Sequence, residues 1–72
     1  RGNAKYLLEE DNRGAIQDFN KSIELKPTAL AYYNRGYSKY ELRDKNGACL
    51  DFSKAGELGY ERAYLFIKKY CN

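Results

Sequence analysis

The chain is 72 residues long and carries a formal net charge of +3, from 13 basic and 10 acidic side chains with no histidine. That length holds one small domain with a thin core, and the charge balance is far from the basic stripe of a dedicated nucleic-acid binder. A mean hydropathy of −0.84 and the lack of a long apolar run exclude a membrane-spanning helix.

The elements follow in chain order. Residues 1–8 carry the back half of a helix, and a turn is expected at Glu9-Glu10. Asp11 is placed to cap a second helix, on which Ala15, Ile16, Phe19 and Ile23 recur with helical spacing. Pro27 stops that helix, and Thr28 caps the next, which carries Tyr32, Tyr33, Gly36, Tyr37 and Tyr40. Asp44 caps a fourth helix with Ala48, Cys49, Phe52, Ala55 and Leu58 on one face. Gly59 closes it, where a left-handed residue is needed. From Glu61, the residues Ala63, Tyr64, Phe66, Ile67 and Tyr70 predict a fifth amphipathic helix. The sequence has no methionine and no secretory leader pattern, and it is expected to be a piece of a longer protein.

These elements repeat. At an offset of 34, Arg1-Gly2 falls on Arg35-Gly36, Lys5-Tyr6 on Lys39-Tyr40 and Leu8 on Leu42. At an offset of 33, Asp11 falls on Asp44, Gly14-Ala15 on Gly47-Ala48, Asp18-Phe19 on Asp51-Phe52 and Glu24-Leu25 on Glu57-Leu58. The one-residue slip lies in the expected turn, where a repeat tolerates insertion. Glycine inside a helix costs about 1 kcal/mol against alanine. Gly2 and Gly36 therefore mark close helix crossings, with Ala15 and Ala48 as the small partners. The expected architecture is all-α, a solenoid of antiparallel helical hairpins. Its parts are a truncated first repeat over 1–28, a second over 29–60 and a capping helix over 61–72.

Short helical chains also need staples. Cys49 and Cys71 lie 22 residues apart with no histidine and no second cysteine pair, which argues against zinc. Two reduced thiols are expected, with Cys49 as a small buried residue; a single disulfide is the open alternative.

The segment Ala31-Tyr32-Tyr33-Asn34-Arg35-Gly36, with Lys39-Tyr40-Glu41-Leu42, Asp44, Gly47-Ala48, Asp51-Phe52, Lys54-Ala55 and Glu57-Leu58, resembles a unit of the tetratricopeptide repeat family. Tyr32, Gly36, Ala48, Phe52 and Ala55 fill the family's pattern of aromatic and small packing positions. The first unit resembles it from Gly2 onward, with Ala15, Phe19, Ser22 and Pro27. The likeness covers about residues 1–59, and the last helix is similar to the solvating helix that ends such arrays. Lys39, Ser22 and Gly59-Tyr60 depart from the family pattern. The resemblance implies a right-handed superhelix whose concave face holds a partner peptide.

Eight of the eleven aromatic residues are tyrosine, and each hydroxyl needs water or a partner. Tyr33, Tyr37 and Tyr40 form one helical stripe, and Asn3 and Tyr6 are the repeat mates of Tyr37 and Tyr40. Asn3, Tyr6, Tyr33, Asn34, Tyr37 and Tyr40 are therefore the expected groove residues, with packing between repeats as the competing role for the rings. Family members that hold the acidic tail of chaperones use two asparagines with lysines and an arginine. Asn3 and Asn34 fall on the asparagine positions, and Lys68 aligns with the arginine. One lysine position falls on Tyr64, and the other would precede Arg1. Lys5, Lys39, Lys68 and Lys69 suggest a weak preference for anionic peptides.

No histidine, Gly-rich phosphate loop or activated cysteine points to catalysis, and no cofactor or metal is expected. The expected role is a scaffold for protein–protein interaction, with no membrane or nucleic-acid partner. The alternative is a fragment of a longer array that self-associates into a homo-oligomer through its uncapped helical end. A cytoplasmic setting is favoured.

Overall fold

The computed structural model describes the backbone of residues 3–71 and the side chains of residues 9–71. Four helices follow one another: α1 (Asn3–Leu25), α2 (Ala29–Glu41), α3 (Lys45–Glu57) and α4 (Arg62–Tyr70). Each packs against the next in sequence. The outline is a slab of 39 × 31 × 16 Å with a radius of gyration of 12.3 Å, against about 11 Å for a compact globule of this length. No described helix is long and apolar enough to cross a membrane.

The predicted boundaries hold where one residue enforces them. Lys26 ends α1 by donating its N–H to the Ser22 carbonyl at 2.8 Å, one residue before Pro27. The Thr28 hydroxyl accepts the Ala31 N–H at 3.2 Å, and the Asp44 carboxylate accepts the Gly47 N–H at 3.1 Å. Both are N-caps that satisfy an orphan donor of the first turn. Gly59 takes a φ of 113°, and the Tyr60 N–H reaches back to the Ala55 carbonyl at 3.0 Å to close α3. The same closure ends α2, where the Asp44 N–H meets the Lys39 carbonyl at 2.8 Å. There the left-handed residue is Arg43, at φ 69°. A side chain in that region costs about 1–2 kcal/mol, so the packing of α2 on α3 outweighs the local preference.

One boundary is corrected. The turn expected at Glu9-Glu10 is absent, and α1 runs unbroken for 23 residues, so Asp11 is mid-helix and caps nothing. Residues 9–13 contain neither glycine nor proline, and extending a formed helix adds one hydrogen bond per residue fixed. Four described helices thus stand where five were expected. With a rise of about 1.5 Å per residue, α2 matches little more than half the length of α1. The predicted crossing of Gly2 with Ala15 falls outside the described residues.

The core is small. Ala48, Phe52, Ala55 and Ala63 are buried, and Tyr32, Tyr33, Tyr40, Tyr60, Phe66 and Ile67 pack around them. Phe52 is the largest side chain fully withdrawn from water among the described residues. In the first unit, Ala15 and Phe19 are only half-buried, because α1 has a packed neighbour on one side. Leu58, expected on the buried face of α3, is exposed beyond its end.

The cysteine expectation is also corrected. Cys49 of α3 and Cys71 at the end of α4 form a disulfide, with Cα atoms 5.9 Å apart. Spacing alone could not show that the two helices bring these positions together.

Gly36 sits at the tightest crossing. A Cβ there would meet the Asp51 Cβ at 3.0 Å, the Ala48 carbonyl oxygen at 3.1 Å and the Phe52 ring at 3.1 Å. Two of these neighbours are backbone or close to it and cannot swing away. Gly36→Ala is expected to lower stability by about 1–3 kcal/mol through overpacking, although alanine is the better helix former. Urea unfolding checks this, and a rise in midpoint would count against the crossing.

Candidate functional site

The tyrosine stripe of α2 does not stand free. Tyr33 turns inward, with its ring centroid 4.7 Å from Tyr60, 5.5 Å from Phe66 and 5.6 Å from Phe52. Edge-on and tilted ring pairs at these separations contribute about 0.5–1.5 kcal/mol each beyond area burial. Tyr40 lies 4.9 Å from Tyr70. Tyr37 touches Phe66 edge-on at 6.4 Å and keeps 46% of its surface exposed. Of the three, Tyr37 presents the most to a ligand, while Tyr33 and Tyr40 hold α4 against α2.

Phe66 is the hub, meeting Tyr33, Tyr37, Phe52 and Tyr70. Beside it on α4, Leu65 is 66% exposed. Leu65, Phe66, Lys69 and Tyr70 line a depression of about 210 Å³. That is below the roughly 300–1,000 Å³ of pockets that enclose a small molecule, and it suits a single inserted side chain. A larger depression of about 440 Å³, lined by Tyr40, Glu41, Arg43 and Lys45, flanks the α2–α3 turn with charges of both signs. Among the described residues no cluster of histidine, cysteine and carboxylate side chains is placed to hold a metal ion.

The other expected groove residues distribute as follows. Asn34 is half-buried on α2, one turn before Tyr37. Lys68 is exposed on α4, but successive residues of a helix point about 100° apart, so Lys69, not Lys68, borders the Leu65–Tyr70 depression. Asn3 and Tyr6 belong to α1, and their side chains lie outside the described residues. Tyr64, at a position the clamp comparison assigns to lysine, lays its ring across Gly56 of α3. Of the expected packing residues, Gly36, Ala48, Phe52 and Ala55 are buried, and Tyr32 is half-buried beneath the Arg35 guanidinium at 5.3 Å. Leu65 was missed in the sequence because it falls off the apolar face of α4, whereas Lys69 was read only as one of four lysines favouring anionic peptides.

Lys39 is not available to an anionic ligand. Its Nζ lies 3.2 Å from Asp51 Oδ2. Arg35 grips the same carboxylate in a fork, Nε to Oδ2 at 2.8 Å and Nη2 to Oδ1 at 2.6 Å. Its Nη1 donates to Asn20 Oδ1 of α1 at 2.8 Å. Asp51 is 4% exposed, and the planar Arg35 fork together with the Lys39 ammonium supplies the charge and hydrogen bonds that such a buried carboxylate requires. The hydrogen bonds that the Arg35 guanidinium donates to Asp51 hold it protonated beyond its ordinary range, outweighing the opposing effect of burial. This polar link ties α1, α2 and α3 together. Its signal was in the sequence, since Arg35 and Asp51 are repeat mates of Arg1 and Asp18.

Burial raises the Tyr33 hydroxyl above its ordinary pKa of 10.0, with Tyr60 and Tyr37 adding to the rise and Arg62 opposing it. The folded chain therefore keeps this proton to higher pH than the unfolded chain. Its contribution to stability is full below about pH 10 and is lost as pH rises through the folded value. Alkaline unfolding followed by circular dichroism is expected to shift to higher pH in Tyr33→Phe, relative to that variant's own neutral stability. An unchanged alkaline limb would contradict the burial of this ring.

Comparison with protein-family models, with curated proteins and with solved structures finds no match to this chain.

Proposed function

We propose that the chain is a tetratricopeptide-like interaction module that binds an extended partner peptide across the face shared by α2 and α4. The observation that carries this reading is the exposed Tyr37 edge-on to Phe66, with exposed Leu65 lining, beside Phe66, Lys69 and Tyr70, the depression on α4. Tyrosine offers contact area with few rotors and a polar tip, which suits a surface that must be wet when empty and apolar when filled. Lys69 adds one cation to the rim, favouring a ligand with an apolar anchor followed by an acidic residue. In this reading α2 and α3 are one repeat hairpin and α4 is the solvating helix of a right-handed array. The role is binding, and no residue is assigned to catalysis. The disulfide favours an oxidising compartment over the expected cytoplasm.

A peptide selected from a random displayed library and synthesised free is the probe. In NMR titration of the isotope-labelled chain, shifts are expected at Tyr37, Leu65 and Lys69. Tyr37→Ala and Leu65→Ala, both at exposed positions, are each expected to weaken binding about tenfold or more, as anchor truncations do, with the fold retained. Shifts confined to α1, or binding indifferent to both substitutions, would sink the proposal.

One observation favours self-association as a second reading. Ile16, Phe19 and Ile23 are half-exposed along α1, and Leu25 is 85% exposed at its end. A second copy could cover this side. Light scattering separates the readings, because a concentration-independent monomer removes this one.

A further inference from the structure

We infer that the Cys49–Cys71 disulfide is a redox latch on α4. The helix has 9 residues, and Glu61 at its start makes no side-chain capping bond. Isolated helices shorter than about 12–15 residues are marginal in water, so α4 exists by virtue of its docking. Ala63 is buried against α3, and Phe66 and Tyr70 reach the rings of α2. The disulfide fastens the last turn, where the Cys71 N–H still donates to the Ile67 carbonyl at 2.9 Å. On the opposite flank of α4, the Tyr64 ring lies over Gly56. The α2–α3 hairpin has its own fastenings, the Gly36 crossing and the Arg35–Asp51 fork, and neither involves α4. Opening the disulfide therefore releases α4 first. With it goes Phe66, and the face that Phe66 supports comes apart.

The chemistry needs an external dithiol. One of its thiolates attacks a sulfur of the Cys49–Cys71 bond, and the other cysteine leaves as a thiolate and takes up a proton. The second thiol of the reductant then attacks the mixed disulfide, freeing the first cysteine. Two electrons pass to the chain, which ends with two thiols, and the reductant ends as a disulfide. Both cysteines are half-buried, so an attacking thiolate has partial access.

The latch does not depend on what the face binds, and its test is structural. Native-state hydrogen exchange on the whole chain is compared with and without dithiothreitol. Closing a loop of 22 residues corresponds to an effect on the order of 100-fold in the opening equilibrium. Amides of α4 are expected to exchange faster by about that factor on reduction, ahead of those of α2 and α3. The double variant Cys49→Ser/Cys71→Ser is expected to copy the reduced pattern without any reductant. Unchanged exchange in α4 would overturn the inference. So would equal acceleration across all the helices, which would make the disulfide a staple of the whole fold. A dithiothreitol effect that the double variant fails to reproduce would overturn it as well.

Discussion

The burial of Phe52 is the constraint on which the rest of the structure depends. A chain of this size has few large side chains to withdraw from water, and here one aromatic ring at the middle of α3 is fully enclosed, with Tyr33 and Phe66 against it. Burying such a ring contributes about 1.5–3 kcal/mol, a large share of the roughly 5 kcal/mol expected of a domain this small. Enclosure demands that α2 come close, which explains the glycine at position 36. It also demands a lid from the far side, which α4 supplies through Phe66.

The same requirement explains the tyrosines. Tyr33 and Tyr60 sit where a ring can pack on Phe52 or its neighbours. Tyr37 lies one turn further along α2, past the edge of the core, and becomes surface. The proposed binding face is thus the outer side of the packing that holds the core together. A ligand on Tyr37 would rest on Phe66, and Phe66 rests on Phe52. The face depends on Phe66 staying seated, which is why fastening α4 matters to it, while the α2–α3 hairpin keeps its own Gly36 crossing and Arg35–Asp51 fork.

What was legible in the sequence was local chemistry. Thr28, Asp44, Pro27 and Gly59 each act within a few residues, so their roles could be read one at a time. The Gly36–Ala48 crossing was legible because glycine in a helix asks for a reason. The all-helical class followed from periodicity, and four described helices bear it out. Features set by distant contacts were not legible. The left-handed Arg43 is imposed by helix packing against its own preference. The unbroken run of α1 shows the converse, since Asp11 and Gly14 of the first unit match Asp44 and Gly47 of the second, yet no turn forms there and no described residue packs against Gly14. The disulfide and the inward turn of Tyr33 likewise depend on where α4 lands.

If Phe52 is the keystone, its repeat mate Phe19 is not, because Phe19 is only half-buried on α1. The direct measurement is thermal and urea unfolding of Phe52→Ala beside Phe19→Ala. Truncating a buried phenylalanine costs about 3–5 kcal/mol, comparable to the whole stability of a small domain. Phe52→Ala is expected to lose its cooperative transition, and Phe19→Ala to keep one with a modestly lowered midpoint. Equal losses in the two variants, or a folded Phe52→Ala chain, would contradict the account.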